Sequence, residues 1–274
     1  YLRGNPVKDL GYARHYRLLK ELDVHYPPLP EQERIVSILD KAFEGIDKAI
    51  AQTEQNLASA RELFESYLNN IFTQKGEGWV EKKFGEVCEI IGGSQPPKSN
   101  FIFEPKEGYI RLIQVRDYRT DKFITYIPKE KAKRFCSKTD LMIGRYGPPI
   151  FGIFRGLEGA YNVALMKAVP NEDLLLKDYF YWFLKTRGLV RFVEKTSKRA
   201  AGQDGVRKER LYEYVVPIPP HQDQERILTR LDKLKAHSEQ LEALYTQKLN
   251  DLKELKQSLL QQAFAGELTK EDAA

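Results

Sequence analysis

A chain of 274 residues, with 42% hydrophobic and 30% charged residues, is long enough to bury one or two hydrophobic cores. Gly, Pro and Arg interrupt its apolar runs well before the about 20 residues that a membrane-spanning helix needs, which argues against a membrane protein. The two cysteines, Cys88 and Cys136, have neither the spacing of a zinc site nor the density of a disulfide scaffold, so we expect a cytoplasmic protein.

The first long element, after residues 1–30, is an amphipathic helix predicted over residues 31–73. Three prolines at 27–30 and the acidic residues Glu31 and Glu33 favour a helix N-terminus there. The apolar positions recur every three or four residues, at Ile35, Leu39, Ala42, Ile46, Ile50, Thr53, Leu57, Ala60, Phe64, Leu68 and Ile71. The predicted helix would be roughly 65 Å long, and it cannot bury its apolar stripe without a packing partner.

Residues 79–215 are predicted to form a mixed α/β domain. Short runs rich in Ile, Val, Phe and Tyr, such as GYIRLIQVRDY and DLMIGRYG, are separated by Gly, Pro, Asp and Asn, which is the pattern of strands and turns. Aromatic residues and leucines at helical spacing follow in residues 174–197, and KRAAGQDG then indicates a loop.

A second long helix is predicted over residues 222–264, and its sequence repeats the first. The stretch PPLPEQERIVSILDK at 27–41 returns as PPHQDQERILTRLDK at 219–233. Residues 24–72 match the corresponding 49 residues at 18 positions without a gap. This agreement indicates an internal duplication.

Each helix needs a partner for its apolar stripe, and stripes of matched length favour the other helix. We therefore predict an α+β fold with one mixed α/β domain and two long antiparallel coiled-coil helices. The alternative is that each helix packs on its own globular neighbour. The predicted seam consists of Ile35, Leu39, Ile46, Leu57, Leu231, Leu249, Leu252 and Leu259.

Charge is distributed unevenly along the chain. Residues 79–215 carry 26 Lys and Arg against 17 Asp and Glu, a net charge of +9, whereas the rest of the chain has a net charge of −4. A basic domain of this kind indicates nucleic acid as its partner, with cations on phosphates and polar side chains on base edges. The candidate DNA-binding residues are Ser94, Gln95, Lys98, Asn100, Gln114, Arg116, Tyr118, Arg119, Arg145, Tyr146, Lys198, Arg199 and Gln203. Arg111 and Arg155 fit either DNA contacts or ion pairs at the edge of the core.

No catalytic or metal-binding motif is recognisable. The four histidines lack the spacing of metal ligands, and neither GxGxxG nor GxxxxGK[ST] occurs. We therefore expect a domain that binds DNA without cutting or methylating it, and that has no metal or cofactor of its own.

The order of these elements resembles the specificity subunit of type I restriction-modification systems. The most specific feature is Pro-Pro followed by Gln-Glu-Arg-Ile, which occurs at 27–35 and again at 219–227. The stretches GGSQPPKSN, GYIRLIQVRDY, DLMIGRYG and YNVALMKAVP are looser matches to a target recognition domain. Residues 1–30 resemble only the tail of a first recognition domain. The chain is thus expected to be either the carboxyl-terminal part of a subunit or a half-subunit that pairs with another copy of itself.

The resemblance implies a function. A recognition domain of this family reads one half of a bipartite target in double-stranded DNA, and the helices set the distance between two such domains. The subunit is not an enzyme: methyltransferase subunits bind S-adenosylmethionine, and restriction subunits use ATP and Mg. Two other interpretations stay open, a coiled-coil scaffold whose basic head binds an acidic protein, and an enzyme whose catalytic residues the sequence does not reveal.

Overall fold

The computed structural model describes residues 26–74, 76–147, 150–198 and 204–269. In chain order the elements are α1 (Leu29–Thr73), β1 (Val80–Lys83), α2 (Phe84–Val87), β2 (Cys88–Gly92), β3 (Tyr109–Ile113), β4 (Tyr126–Pro128), β5 (Phe135–Cys136), β6 (Leu141–Gly144), β7 (Ile153–Phe154), β8 (Gly159–Tyr161), β9 (Leu165–Pro170), α3 (Lys177–Leu184), α4 (Arg187–Ser197), α5 (Lys208–Tyr212), β10 (Val215–Ile218) and α6 (His221–Phe264). The α+β fold class is confirmed. Of the predicted first-domain tail, only residues 26–30 lie within the described residues.

The chain divides into two compact units. The larger unit comprises residues 58–242, and the smaller one combines the chain up to residue 57 with the chain from residue 243 onward. Each long helix contributes one part to each unit.

The larger unit contains three small sheets. Strands β2, β9, β6 and β7 form an antiparallel sheet in that order. Strands β4, β3, β8 and β5 form a second sheet, in which β3 and β8 run parallel and the other pairs antiparallel. Strands β1 and β10 pair as an antiparallel ribbon. All four residues of β6 are buried, which explains its uninterrupted apolar sequence LMIG.

The main hydrophobic core joins the first sheet to helices α3 and α4 and to parts of both long helices. All aromatic residues of α3 except Tyr181 are buried. Phe72 of α1 lies 5.1 Å from Tyr179 and 5.7 Å from Phe183, measured between ring centroids. Leu231 of α6 is fully buried in the same cluster. Both long helices therefore pack on the globular domain.

The two long helices also contact each other. In the larger unit the Arg61 Nε–H donates to Glu242 Oε2 at 2.8 Å. In the smaller unit Lys256 Nζ pairs with Asp47 Oδ1 at 2.7 Å. The partner's number falls along α6 as it rises along α1, so the helices run antiparallel, as predicted.

The predicted seam lies on the buried faces of the helices. Ile46 and Leu231 are buried, and the other six seam residues are partly buried. The prediction is incomplete for Leu231, which it places in the seam between the helices and which packs in the main hydrophobic core of the globular domain. The two packing arrangements that the sequence left as alternatives thus occur together, at different positions along the stripes.

Both cysteines are free and buried. Burial raises the pKa of Cys136 to about 11 and raises that of Cys88 further, so neither thiol ionises at neutral pH. Among the helices of the described residues, we find none with the length and apolarity that crossing a bilayer requires.

Candidate nucleic-acid interface

The connection between β8 and β9, residues 161–165, is here named the junction loop. The Ser94 N–H, just after β2, donates to the Tyr161 carbonyl oxygen at 3.1 Å. The Asn162 N–H donates at 3.1 Å to the carbonyl oxygen of Ile113, the last residue of β3. The segments that follow β2 and β3 are therefore held beside the same loop.

The segment that follows β6 joins this arrangement. The Arg145 N–H donates to the Ala164 carbonyl oxygen at 2.8 Å, and the Val206 N–H donates to the Arg145 carbonyl oxygen at 3.0 Å. Tyr146 and Gly205 form an isolated antiparallel bridge. Gly205 and Val206 are thus connected to the junction loop through the segment that follows β6.

Lys198, which directly follows α4, is tied to the same region. An Nη2–H of Arg207 donates to the Lys198 carbonyl oxygen at 3.1 Å, and the Lys198 side chain is exposed. Three segments that the sequence predicted separately, near residues 94, 114 and 145, therefore meet at one loop, and Lys198 is linked to them through Arg207.

Two residues make the junction loop possible. An alanine Cβ at Gly93 would lie 1.9 Å from the Asn162 carbonyl oxygen, so the backbones approach more closely than any side chain permits. The Asn162 side chain is almost completely buried, and its Oδ1 accepts the Ala164 N–H at 3.1 Å. This is the local turn that Asn side chains favour.

Gln114 and Arg116 lie on the turn that follows β3. Gln114 Nε2 donates to Thr125 Oγ1 at 3.1 Å, which fixes its amide while leaving the side chain partly exposed. The Arg116 guanidinium lies 5.4 Å from the centroid of the Phe123 ring and is exposed. Both side chains are available to a ligand.

Tyr118 takes a different orientation. Its ring stacks on Phe154 with centroids 4.6 Å apart, and its hydroxyl is buried. Burial raises the pKa of this hydroxyl. Because Tyr118 packs inside the domain, we leave it out of the proposed DNA-contacting surface.

The other predicted residues lie on loops. Gln95, Lys98 and Arg119 are exposed, Ser94 and Asn100 are partly buried, and the Arg145 guanidinium lies 5.0 Å from the centroid of the Tyr146 ring. Arg199 and Gln203 lie outside the described residues.

Arg111 and Arg155 form ion pairs at the edge of the core. Arg111 Nη2 contacts Asp121 at 2.9 Å, and its Nε lies 3.7 Å from Asp117. Burial raises the pKa of Asp117, although its hydrogen bond and the nearby guanidinium act in the opposite direction. Arg155 Nη1 contacts Asp178 at 2.5 Å. We therefore read both arginines as structural.

Sequence reasoning missed Asn162, Arg207 and Lys208. Asn162 ends the short buried run Gly-Ala-Tyr of β8, and a polar residue directly after a buried strand is a usable signal. Arg207 and Lys208 carried no signal beyond their charge. Among the described residues, no group of three or more His, Cys, Asp or Glu side chains is placed to hold a metal ion.

Comparisons with known proteins agree on one family. The family model of the type I restriction modification DNA specificity domain matches residues 76–253. The specificity subunit of type I restriction enzyme EcoKI from Escherichia coli K12 is 25% identical over 298 residues, covering 98% of this chain and 63% of that protein. The StySPI specificity subunit from Salmonella potsdam is 29% identical over 296 residues, with coverage of 97% and 63%.

Solved structures show the same fold. The crystal structure of the HsdS subunit from Thermoanaerobacter tengcongensis matches with a TM-score of 0.60 and 25% identity, covering 89% of this chain and 61% of that chain. A chain from a structure on complex assembly of the type I R-M system has a TM-score of 0.78 at 22% identity, covering 98% of this chain and 66% of that chain. The chain spans less than two thirds of the length of these relatives.

Proposed function

The chain belongs to the family of type I restriction modification DNA specificity domains, and we propose that residues 79–215 read one half of a bipartite target in double-stranded DNA. The observation that carries this proposal is the meeting of three polar and basic segments at the junction loop, to which Lys198 is linked through Arg207. They meet in a domain whose net charge is +9. Cations on phosphates would position the domain, while amide and hydroxyl groups would read base edges.

The proposed DNA-contacting surface draws on the sequence prediction, without Tyr118. It comprises Ser94, Gln95, Lys98, Asn100, Gln114, Arg116, Arg119, Arg145, Tyr146 and Lys198. Arg199 and Gln203 stay predictions, outside the described residues. Gln114 suits base reading because its amide has both a donor and an acceptor, and the bond to Thr125 restricts its rotation.

The proposal extends to partners. Relatives are named specificity subunits of type I restriction enzymes. We propose that this chain, itself without catalytic activity, assembles in the cytoplasm with methyltransferase subunits that bind S-adenosylmethionine and with restriction subunits that use ATP and Mg. The mildly acidic helical part, with a net charge of −4 outside residues 79–215, suits contact with protein better than with DNA. A second recognition domain, from the same subunit or from a second copy of the chain, would supply the other half of the reading surface.

The test measures affinity for duplex DNA across a salt series, with the full chain and a methyltransferase partner present. Arg116→Ala and Lys198→Ala should each weaken binding about tenfold, the order expected for one lost contact. Arg155→Ala is the matched control, because its guanidinium pairs with Asp178. Circular dichroism should show unchanged helix content in all three variants.

An affinity independent of salt and of sequence would contradict the proposal and favour a protein-binding scaffold. Unchanged affinity in both Arg116→Ala and Lys198→Ala would contradict the proposed surface.

A further inference from the structure

A cavity of about 220 Å³ lies next to the junction loop. Its charged lining comes from Arg145 after β6 and from Arg207, Lys208 and Glu209 at the start of α5. Its apolar lining includes Ile90 of β2, which is 2% exposed. The cavity lining therefore combines an apolar wall with three positively charged side chains and one carboxylate, that of Glu209.

The positively charged side chains of this cavity are available to bind an anion. Within the part of the chain that the structure describes, Arg145, Arg207 and Lys208 form no ion pair with a carboxylate. The Arg145 Nε is buried and has no hydrogen-bond partner. A buried donor without an acceptor costs free energy, which an oxygen atom of a ligand would recover.

Hydrogen bonds to backbone groups hold Arg145 and Arg207 in place in the absence of a ligand. The Val206 N–H donates to the Arg145 carbonyl oxygen at 3.0 Å, so the backbone next to Arg207 is held against the segment that follows β6. An Nη2–H of Arg207 also bonds the Lys198 carbonyl oxygen at 3.1 Å, which leaves other N–H groups of the guanidinium for a ligand. Little reorganisation is therefore needed for binding.

We propose that this cavity binds one phosphate group of the DNA backbone, an inference that rests on the proposed function. Its volume has room for a tetrahedral anion. Guanidinium groups are the side chains best suited to phosphate oxygens. Among the candidate DNA-binding residues, Arg145 is thereby assigned to positioning the DNA rather than to reading bases. Glu209 opposes the anion and limits its affinity.

The test compares a target duplex with an unrelated duplex, using the full chain and its methyltransferase partner over a salt series. Arg207→Gln and Lys208→Gln should weaken binding to both duplexes by the same factor. Each should also lower the slope of log affinity against log salt by about one. Glu209→Gln should strengthen binding to both duplexes equally. Lys177→Gln removes the same charge outside the cavity and is the matched control.

The proposed phosphate site is overturned if Arg207→Gln and Lys208→Gln leave the salt slope unchanged. It is also overturned if either variant, or Glu209→Gln, changes the preference for the target duplex, because the cavity would then read bases.

A second measurement does not depend on DNA recognition. Inorganic phosphate is titrated into the full chain at constant ionic strength, and the amide resonances of Gly92 and Val206 are followed. We expect shifts in the wild type that Arg207→Gln abolishes. If the wild type shows these shifts but does not recognise DNA, the proposed function is refuted and the phosphate site stands. If the wild type shows no shifts, the phosphate site is refuted.

Discussion

Gly93 is the residue at which the junction loop leaves no room for a side chain. Its N–H donates to the Leu165 carbonyl oxygen at 3.0 Å, and an added Cβ would lie 1.9 Å from the carbonyl oxygen of Asn162. Those obstacles belong to the backbone, which cannot rotate away. The neighbouring Gly92 differs, because a Cβ there would meet nothing within 4 Å.

We predict that Gly93→Ala lowers the free energy of unfolding by about 2 kcal/mol or more, since the junction loop must move to relieve the overlap. Gly92→Ala should change it by no more than about 0.5 kcal/mol. Urea denaturation followed by circular dichroism measures both values. Because segments of the proposed DNA-contacting surface are held at this loop, Gly93→Ala should also weaken DNA binding more than Gly92→Ala does.

Equal stability of the two glycine variants would contradict the close approach at Gly93. If the two variants differed in stability but bound DNA equally well, the junction loop would not support the proposed DNA-contacting surface.

Sequence could identify polar residues near strand ends, but it could not orient them. Gln114 and Tyr118 both belong to the turn after β3, and both suited base contacts. The short helical turn at Val115–Tyr118 directs Tyr118 onto Phe154, while Gln114 stays partly exposed. That difference arises from packing between Tyr118 and Phe154, which lie 36 residues apart in the chain, and periodicity does not encode such contacts.

At the scale of elements, the duplicated helix starts share one local contact. Gln32 Nε2 donates to the Pro27 carbonyl oxygen at 2.7 Å, and Gln224 Nε2 donates to that of Pro219 at 2.9 Å. Both bonds span five residues, so the repeated sequence forms the same hydrogen bond at the start of each long helix.

The second copy has additional contacts. Gln224 is fully buried, its Oε1 accepts the Leu176 N–H at 2.8 Å, and its Nε2 also donates to the Leu174 carbonyl oxygen at 2.8 Å. Gln224 therefore joins α6 to the segment that leads into α3. Among the described residues, the only hydrogen bond of the Gln32 side chain is the one to Pro27.

Gln224→Ala should therefore lower the free energy of unfolding by about 1–3 kcal/mol, because it leaves buried backbone groups without partners. Gln32→Ala, at the equivalent repeat position, should cost no more than about 0.5 kcal/mol. Chemical denaturation of the two variants in parallel tests the difference. If both substitutions lowered the free energy of unfolding equally, the Gln224 amide would contribute only through the hydrogen bond that both copies share.

The repeat and its period predicted both long helices, with ends within two residues of those observed. The packing partners of each stretch could not be predicted, because an apolar stripe of 3.6-residue period serves a coiled coil and a globular core equally. Leu231 shows this ambiguity, since it continues the predicted seam and yet lies in the core cluster.

At the scale of the whole molecule, apolar burial differs between the two units. The larger unit contains the three core clusters. In the described part of the smaller unit, the buried side chains are Ile46, Thr53 and Ala263, while Leu244 and Leu255 are 61% and 48% exposed. A helix segment with little buried apolar surface opens at a lower cost in free energy.

We therefore predict that each long helix has two levels of protection from amide hydrogen exchange, divided near the unit boundary. In α1, residues 29–57 should exchange faster than residues 58–73, and in α6, residues 243–264 faster than residues 221–242. The difference should be at least about tenfold, equivalent to about 1.4 kcal/mol in the free energy of opening. Mass spectrometry of peptides from the full chain measures it. Uniform protection along either helix would show that the helix opens as one cooperative element and that its stability does not follow the uneven burial of apolar side chains.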